Sequence, residues 1–285
     1  MLYNELPTAL PVYDRIEHQD RFREVVDETC TYQQINPRNA LVPLQFTRPI
    51  SGAQRPVLWK IHVLDADVEA FDLTPHIGLW RKAQRDGKDY FTYDGSAIPG
   101  LDLAPGWYYA YMSFADSTIP PCTEVFRIPA EGSFLVQNDN NTRFLKIEWW
   151  NDTDIRPILY NDKNQVTGKP YFRNVCYLDS YIIACEPETT ITADPDGDGE
   201  QIMTEGKVVF IYRITDLVTD SLKKALALIP IHGHVLITTP GGVRTGEVKN
   251  VTVNTSLEAD GARSNVEITF RDSYILEKGC DNNMQ

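Results

Sequence analysis

The segment Leu103-Ala104-Pro105-Gly106-Trp107-Tyr108-Tyr109-Ala110-Tyr111-Met112-Ser113-Phe114 constrains the fold more than any other part of this chain. Pro105 fixes φ and Gly106 tolerates positive φ, so the pair marks a turn. The aromatic, β-favouring run behind it suits a pleated, partly buried strand. A turn that delivers such a strand belongs in a β-sandwich. Residues 57–65, VLWKIHVLD, read the same way: Leu58, Lys60 and His62 alternate against the apolar set Trp59, Ile61 and Val63, which suits a core face. Trp59 is the expected centre of that core.

Further strands are expected over 77–81, 89–93, 107–114 and 123–128. They are separated by the turn signals Arg85-Asp86-Gly87-Lys88, Asp94-Gly95-Ser96 and Ile119-Pro120-Pro121. Upstream, Pro7, Pro11, Pro37, Pro43, Pro49 and Pro56 remove ladder donors and favour extended chain, so residues 1–56 read as a proline-rich arm with a short helix over 13–26. At 285 residues the chain exceeds the usual size of one core, and a second unit is expected after the turn-rich 129–132. Its strands fall at 144–150, 171–178, 182–186, 207–214, 234–238, 248–255 and 265–272. A single helix is expected over 216–229, capped by Thr215 or Asp216, striped by Val218, Leu222, Leu226 and Ile229, and stopped by Pro230. The expected fold class is therefore mainly β: an extended arm (1–56), an immunoglobulin-like β-sandwich (57–130), an antiparallel β-rich domain with one packed helix (131–275) and a short tail (276–285).

Charge narrows the partners. With 27 basic and 40 acidic side chains the formal charge is -13, and no basic cluster offsets it, so a nucleic-acid partner is not expected. The start Met1-Leu2-Tyr3-Asn4-Glu5-Leu6-Pro7 lacks the basic and apolar regions of an export signal, and no apolar run is long enough to span a bilayer, so no membrane partner is expected either. Five cysteines without a Cys-x-x-Cys pair read as free thiols.

Candidate chemistry is sparse. Asp194, Asp196 and Asp198 followed by Gly199 and Glu205 fit the spacing of a calcium loop, in which alternating carboxylates converge and the last glutamate closes the shell. The strand-like flanks 189–192 and 207–210 leave a solvated acidic hairpin loop as the other reading. His232 and His234 sit two apart and would share one side of a strand, as a pair of metal ligands does, but lack a third ligand. Glu148 with Asp152 and Asp154 offers paired carboxylates, which a glycoside hydrolase requires at a defined separation across a cleft. Nucleophile elbow, phosphate loop, dinucleotide fingerprint and zincin motifs are missing from the sequence, so no enzyme is expected. The aromatics Trp107, Tyr108 and Tyr111, with the doublet Trp149 and Trp150, are candidates for a protein interface or for stacking on a host glycan.

The run Leu103-x-Pro105-Gly106-x-x-Tyr109 resembles the leucine, proline and tyrosine run before a late strand of fibronectin type III modules, over about residues 55–130. Trp107 stands where that pattern carries threonine. The resemblance implies that Tyr109 occupies the tyrosine-corner position and that Trp59 lies on an earlier core strand. In the second unit, Ile147-Glu148-Trp149-Trp150-Asn151-Asp152, Phe172-Arg173-Asn174-Val175-Cys176-Tyr177-Leu178-Asp179, Tyr212-Arg213-Ile214 and Asn265-Val266-Glu267-Ile268-Thr269-Phe270 together resemble virion-associated proteins of tailed bacteriophages that infect the Bacteroidota. That resemblance implies a non-enzymatic tail or baseplate subunit. It would be made in the host cytoplasm, located in the virion, and assembled in a ring with copies of itself and other virion proteins. A carbohydrate-binding or adhesive module, with calcium on the acidic loop, is the alternative; a glycoside hydrolase is a weaker one.

Overall fold

The computed structural model describes residues 12–14, 35–50, 52–53, 55–64, 66, 68–115, 121–123, 126–128, 144–155, 158–160, 162–163, 166, 168, 170–178, 182–195, 201–238, 244–247, 249–257 and 263–277. They build a mainly β protein with several antiparallel sheets and one short α-helix.

The first unit is a sandwich of two sheets. Its strands are β1 (Val12–Asp14), β2 (Leu44–Pro49), β3 (Leu58–Val63), β4 (Val68–Asp72), β5 (Trp80–Arg85), β6 (Lys88–Tyr93), β7 (Gly106–Ser113), β8 (Pro121–Thr123) and β9 (Phe126–Ile128). One sheet runs β2-β6-β5; the other runs β1-β8-β7-β3-β4, with β9 also on β7. Taken in chain order, β2 to β7 fill the places of strands B, C, C′, D, E and F of an immunoglobulin sandwich, and β8 with β9 fills G. The B-E-D sheet thus lies on a C′-C-F-G sheet.

Aromatic packing holds the two sheets together. Trp59 on β3 is fully buried and meets Trp80 and Tyr93 edge-on, with ring centroids 5.3 and 5.1 Å apart. Phe46 stacks on Phe91 at 5.5 Å and turns its edge to Phe114 at 5.8 Å. Antibody domains bridge their sheets here with a disulfide whose second cysteine lies two residues after the corner tyrosine. That place is Ala110, so dispersion among rings does the work of a covalent link. A polar group completes the core. Asp89, buried on β6, accepts Lys82 at 3.0 Å and Gln84 at 2.7 Å, which satisfies a charge that would be costly if left alone.

Several expected boundaries move. Residues 35–53 are not an arm: Ile35, Leu41, Val42, Leu44, Phe46 and Ala53 belong to the sandwich core, because β2 pairs along its whole length with β6. The expected helix over 13–26 begins in a strand instead, with Tyr13 and Asp14 paired to β8; residues 15–26 lie outside the described set. The strand expected over 77–81 is a 3-10 helix, Thr74–Leu79, followed by β5. Pro75 preorganises that helix, and ahead of its N-cap Leu73 the Asp72 carboxylate accepts the Thr74 N–H at 2.9 Å in an Asx turn. β5 then runs on to Asp86-Gly87, both at positive φ, the backbone of a two-residue hairpin turn. The strand expected over 123–128 is split between β8 and β9.

The tyrosine corner shifts by one residue. Tyr108, not Tyr109, turns inward and donates its hydroxyl to the Ala104 carbonyl at 2.7 Å. Successive strand residues face opposite sides, so the shift carries Tyr109 to the outer face.

The second unit comprises β10 (Leu145–Trp150), β11 (Asn174–Leu178), β12 (Ile182–Pro195), β13 (Gln201–Thr219), helix α1 (Asp220–Leu226), β14 (His234–Thr238), β15 (Arg244–Glu247), β16 (Lys249–Leu257) and β17 (Arg263–Glu277). Sheet β11-β10-β14-β15 and sheet β12-β13-β17-β16 share a core of Leu145, Ile147, Trp149, Ile237, Ile268 and Phe270, among others, with Ala225, Leu226 and Ile229 from the helical connection. The helix is shorter than expected. Residues 215–219 stay extended because β13 keeps its ladder with β17 through Thr219↔Arg263, and the β-branched Thr215, Val218 and Thr219 favour that state. Of the expected stripe, Leu226 and Ile229 do pack in the core.

The two units are joined by specific contacts. Alternation along β11 sends Cys176 and Leu178 into the second core, and Val175 and Tyr177 into the first. The outer face of the β2-β6-β5 sheet is covered at Gln45, whose amide behaves like a strand neighbour. Its Oε1 accepts the Leu159 N–H at 2.8 Å, and its Nε2 donates to the Leu159 carbonyl at 3.2 Å and to Thr92 Oγ1 at 2.9 Å. Arg81 lies 3.2 Å from the Tyr171 ring centroid, and Arg85 pairs with Asp154.

Two stability predictions follow from these contacts. Tyr108→Phe removes a hydrogen bond across a turn and should cost about 1 kcal/mol, read as a lowered Tm. Gln45→Ala leaves two buried backbone groups of Leu159 unpaired. It should cost about 2–4 kcal/mol and split a single urea transition into two; one unchanged transition would count against the coupling.

Candidate functional site

β7 presents its outward set, Trp107, Tyr109 and Tyr111, on the face of the sheet that points away from the sandwich core. The neighbouring strand extends this surface: register places His62 opposite Tyr109 and Lys60 opposite Tyr111. The His62 ring lies 5.3 Å from that of Tyr109 and 5.7 Å from that of Tyr111. Leu64 packs at the Trp107 end, where its N–H bonds the Trp107 carbonyl at 3.0 Å. At the other end Lys60 pairs with Glu69 of β4. Tyr109 is buried, whereas Trp107 and Tyr111 are half-buried. The result is an apolar, aromatic strip with one ion pair beside it.

The remaining aromatic candidates are placed differently. Tyr108 is buried by its corner bond, and Trp149 is buried in the second core. Trp150 is half-buried and already has ring neighbours: His234 stacks on it with rings parallel and 5.2 Å apart, and the Arg173 guanidinium lies 5.7 Å from its centroid.

His232 and His234 do not converge. Leu228 O lies 2.7 Å from His232 Nδ1, which makes that nitrogen the donor and leaves Nε2 to accept the Tyr160 hydroxyl at 2.9 Å. Asn174 Nδ2 donates to the same hydroxyl at 2.6 Å. The chain of bonds runs one way and needs a neutral imidazole. Burial pushes the His232 pKa down and that of Tyr160 up. His234 instead bonds the Asp152 carboxylate at 2.9 Å, and this contact, with Lys163, holds the Asp152 pKa below its ordinary value.

The paired carboxylates disperse as well. Glu148 is engaged by Arg173 at 3.0 Å and Lys146 at 3.2 Å, Asp152 by Lys163 and His234, and Asp154 by Arg85 and the Tyr160 N–H. Each acid has its own cation, and none is paired with another acid.

For the acidic loop, the backbone places Asp194 on β12 opposite Ile202 and Glu205 on β13 opposite Thr192, with a register break between Thr192 and Ala193. The two strands form a hairpin. Asp196 and Asp198 lie outside the described residues. Among the described residues no three His, Cys, Asp or Glu side chains are grouped to hold a metal, and no helix is long and apolar enough to cross a membrane.

Sequence reasoning named Trp107 and Tyr111 but left out His62, Leu64 and Tyr109 as parts of the same strip. The signal was present in the spacing: 107, 109 and 111 share one side of a strand, and 60, 62 and 64 share another.

No protein-family model matches the chain, and no curated protein matches it. Among solved structures, a marsupial T cell receptor aligns at 7% identity over 87% of this chain and 98% of that one, with a TM-score of 0.16, too low to bear on the fold.

Burial of neutral His232 sets a pH dependence. Unfolded, this histidine takes up a proton below about 6.5, whereas the folded protein resists it, so the unfolded state binds more protons and stability falls as pH drops from 7 towards 5. His232→Gln should flatten that part of the profile, measured as urea midpoint against pH. An unchanged slope would show that other groups set it.

Proposed function

We propose that this chain is a non-enzymatic structural subunit of a bacteriophage virion, of the tail or baseplate kind, that meets neighbouring proteins through the aromatic strip of β7 and β3. The carrying observation is the half-buried pair Trp107 and Tyr111, two residues apart on the outer face of the sandwich beside buried Tyr109. An outward sheet face that meets water alone is expected to alternate to polar residues, whereas this one alternates to aromatics. Tyrosine and tryptophan are the residues that interfaces concentrate, because they combine large apolar area with a polar tip and few rotatable bonds.

Other features support the same reading. Gln45, Arg81 and the two-faced strand β11 lock both units together, as suits a part that transmits shape. The separate ion pairs of Glu148, Asp152 and Asp154 do not set two of these carboxylates facing each other. A formal charge of -13 favours protein neighbours over nucleic acid. In this reading the chain is made in the host cytoplasm and resides in the virion.

Trp107 and Tyr111 also favour a second reading, a carbohydrate-binding module, because two rings on one strand face can stack on a sugar chain. One pair of variants separates the two. Trp107→Ala and Tyr111→Ala should leave the fold intact and reduce incorporation into particles, measured by mass spectrometry of purified virions. Undiminished incorporation, together with glycan-array binding that these substitutions abolish, would overturn the structural reading in favour of the second.

A further inference from the structure

We infer that two copies of this chain join edge to edge through β16, extending the β12-β13-β17-β16 sheet across a twofold axis. This inference rests on the reading of the chain as a self-assembling subunit and assigns a particular surface to it.

β16 closes its sheet on one side: it pairs with β17, and among the described residues no strand pairs with its other edge. Such an edge offers unpaired N–H and C=O groups to any extended chain, and proteins usually block it with charge, proline or brevity. The other sheet edges carry those blocks or are buried; β1 and β9 are only three residues long. β12 contains Pro187 and Pro195 with Glu186 and Glu188; β4 is five residues long and contains Glu69 and Asp72; β5 contains Arg81, Lys82 and Arg85; β2 ends in Arg48 and Pro49; β15 contains Arg244 and Glu247. β11 is uncharged but buried along its length. β16 is nine residues long, and after Lys249 it reads Asn-Val-Thr-Val-Asn-Thr-Ser-Leu, without charge or proline; its ladder with β17 is irregular only between Lys249 and Thr252, which leaves residues 252–257 as the regular, unblocked stretch.

The occupant follows from charge and symmetry. Two copies that each carry -13 repel wherever acidic edges meet, and β16 contains no acid. Antiparallel self-pairing centred on Asn254 sets Val253 against Thr255 and Thr252 against Ser256, so like charges never face each other. Val251 and Val253 already pack in the second core, so pairing in this register continues that core's sheet face from one copy into the next.

The test uses the full chain. Thr252 and Asn254 are exposed, so Thr252→Lys with Asn254→Lys adds two blocking cations without disturbing the core. Light scattering coupled to size exclusion should give the mass of two chains for the parent and of one for the variant, with matching circular dichroism. Amide exchange of 249–257 in the parent should slow as concentration rises. A parent that stays a single chain, or a variant that still pairs, overturns the β16 joint. Pairing that survives in the lysine variant but is lost in Trp107→Ala moves self-contact to the aromatic strip and leaves the structural reading standing. Failure of that reading is instead read in the virion and glycan assays.

Discussion

The period of two along β7 is the constraint on which the first unit depends. With Tyr108 turned inward and bonded to Ala104, Ala110 and Met112 must also face the core, and Trp107, Tyr109 and Tyr111 must face away. One choice therefore sets both the interior and the outer surface. A slip of one residue would bury the strip and expose the core set, so the corner hydrogen bond and the fit of Ala110 and Met112 among the aromatic rings select the register jointly.

Polar groups set the relation between the units. The outer face of β2-β6-β5 displays Gln45 and Thr92, which cannot be buried without partners, and residue 159 supplies a backbone N–H and C=O with the same need. Each satisfies the other. The match is directional, so it fixes orientation more sharply than apolar contact would, and the alternation of β11 then lets one strand serve both cores.

Much of the architecture was legible in local pattern. The alternation of 57–65 and the Pro105-Gly106 turn gave the sandwich strands, the Asp86-Gly87 turn marked the hairpin, and residues 234–238 form a strand as read. Long-range pairing was not legible. Leu44–Pro49 sits among prolines and looks like an arm until its partner β6 is known, and residues 216–219 have helical spacing but remain extended because β17 supplies a ladder. The candidate strip was half readable: its ring types are in the sequence, but which tyrosine faces out depends on a corner bond that two adjacent tyrosines fit equally well in the linear pattern.

The sequence by itself determined that this chain is mainly β, acidic and rich in aromatic strand residues, because composition and period-two alternation are local properties of the chain. Tertiary structure alone decided which of Tyr108 and Tyr109 turns inward, which side chains stack on Trp150, and which strand edge has no partner among the described residues. Those outcomes depend on partners far away in the chain, and burial is a property of the neighbours that a residue meets after folding.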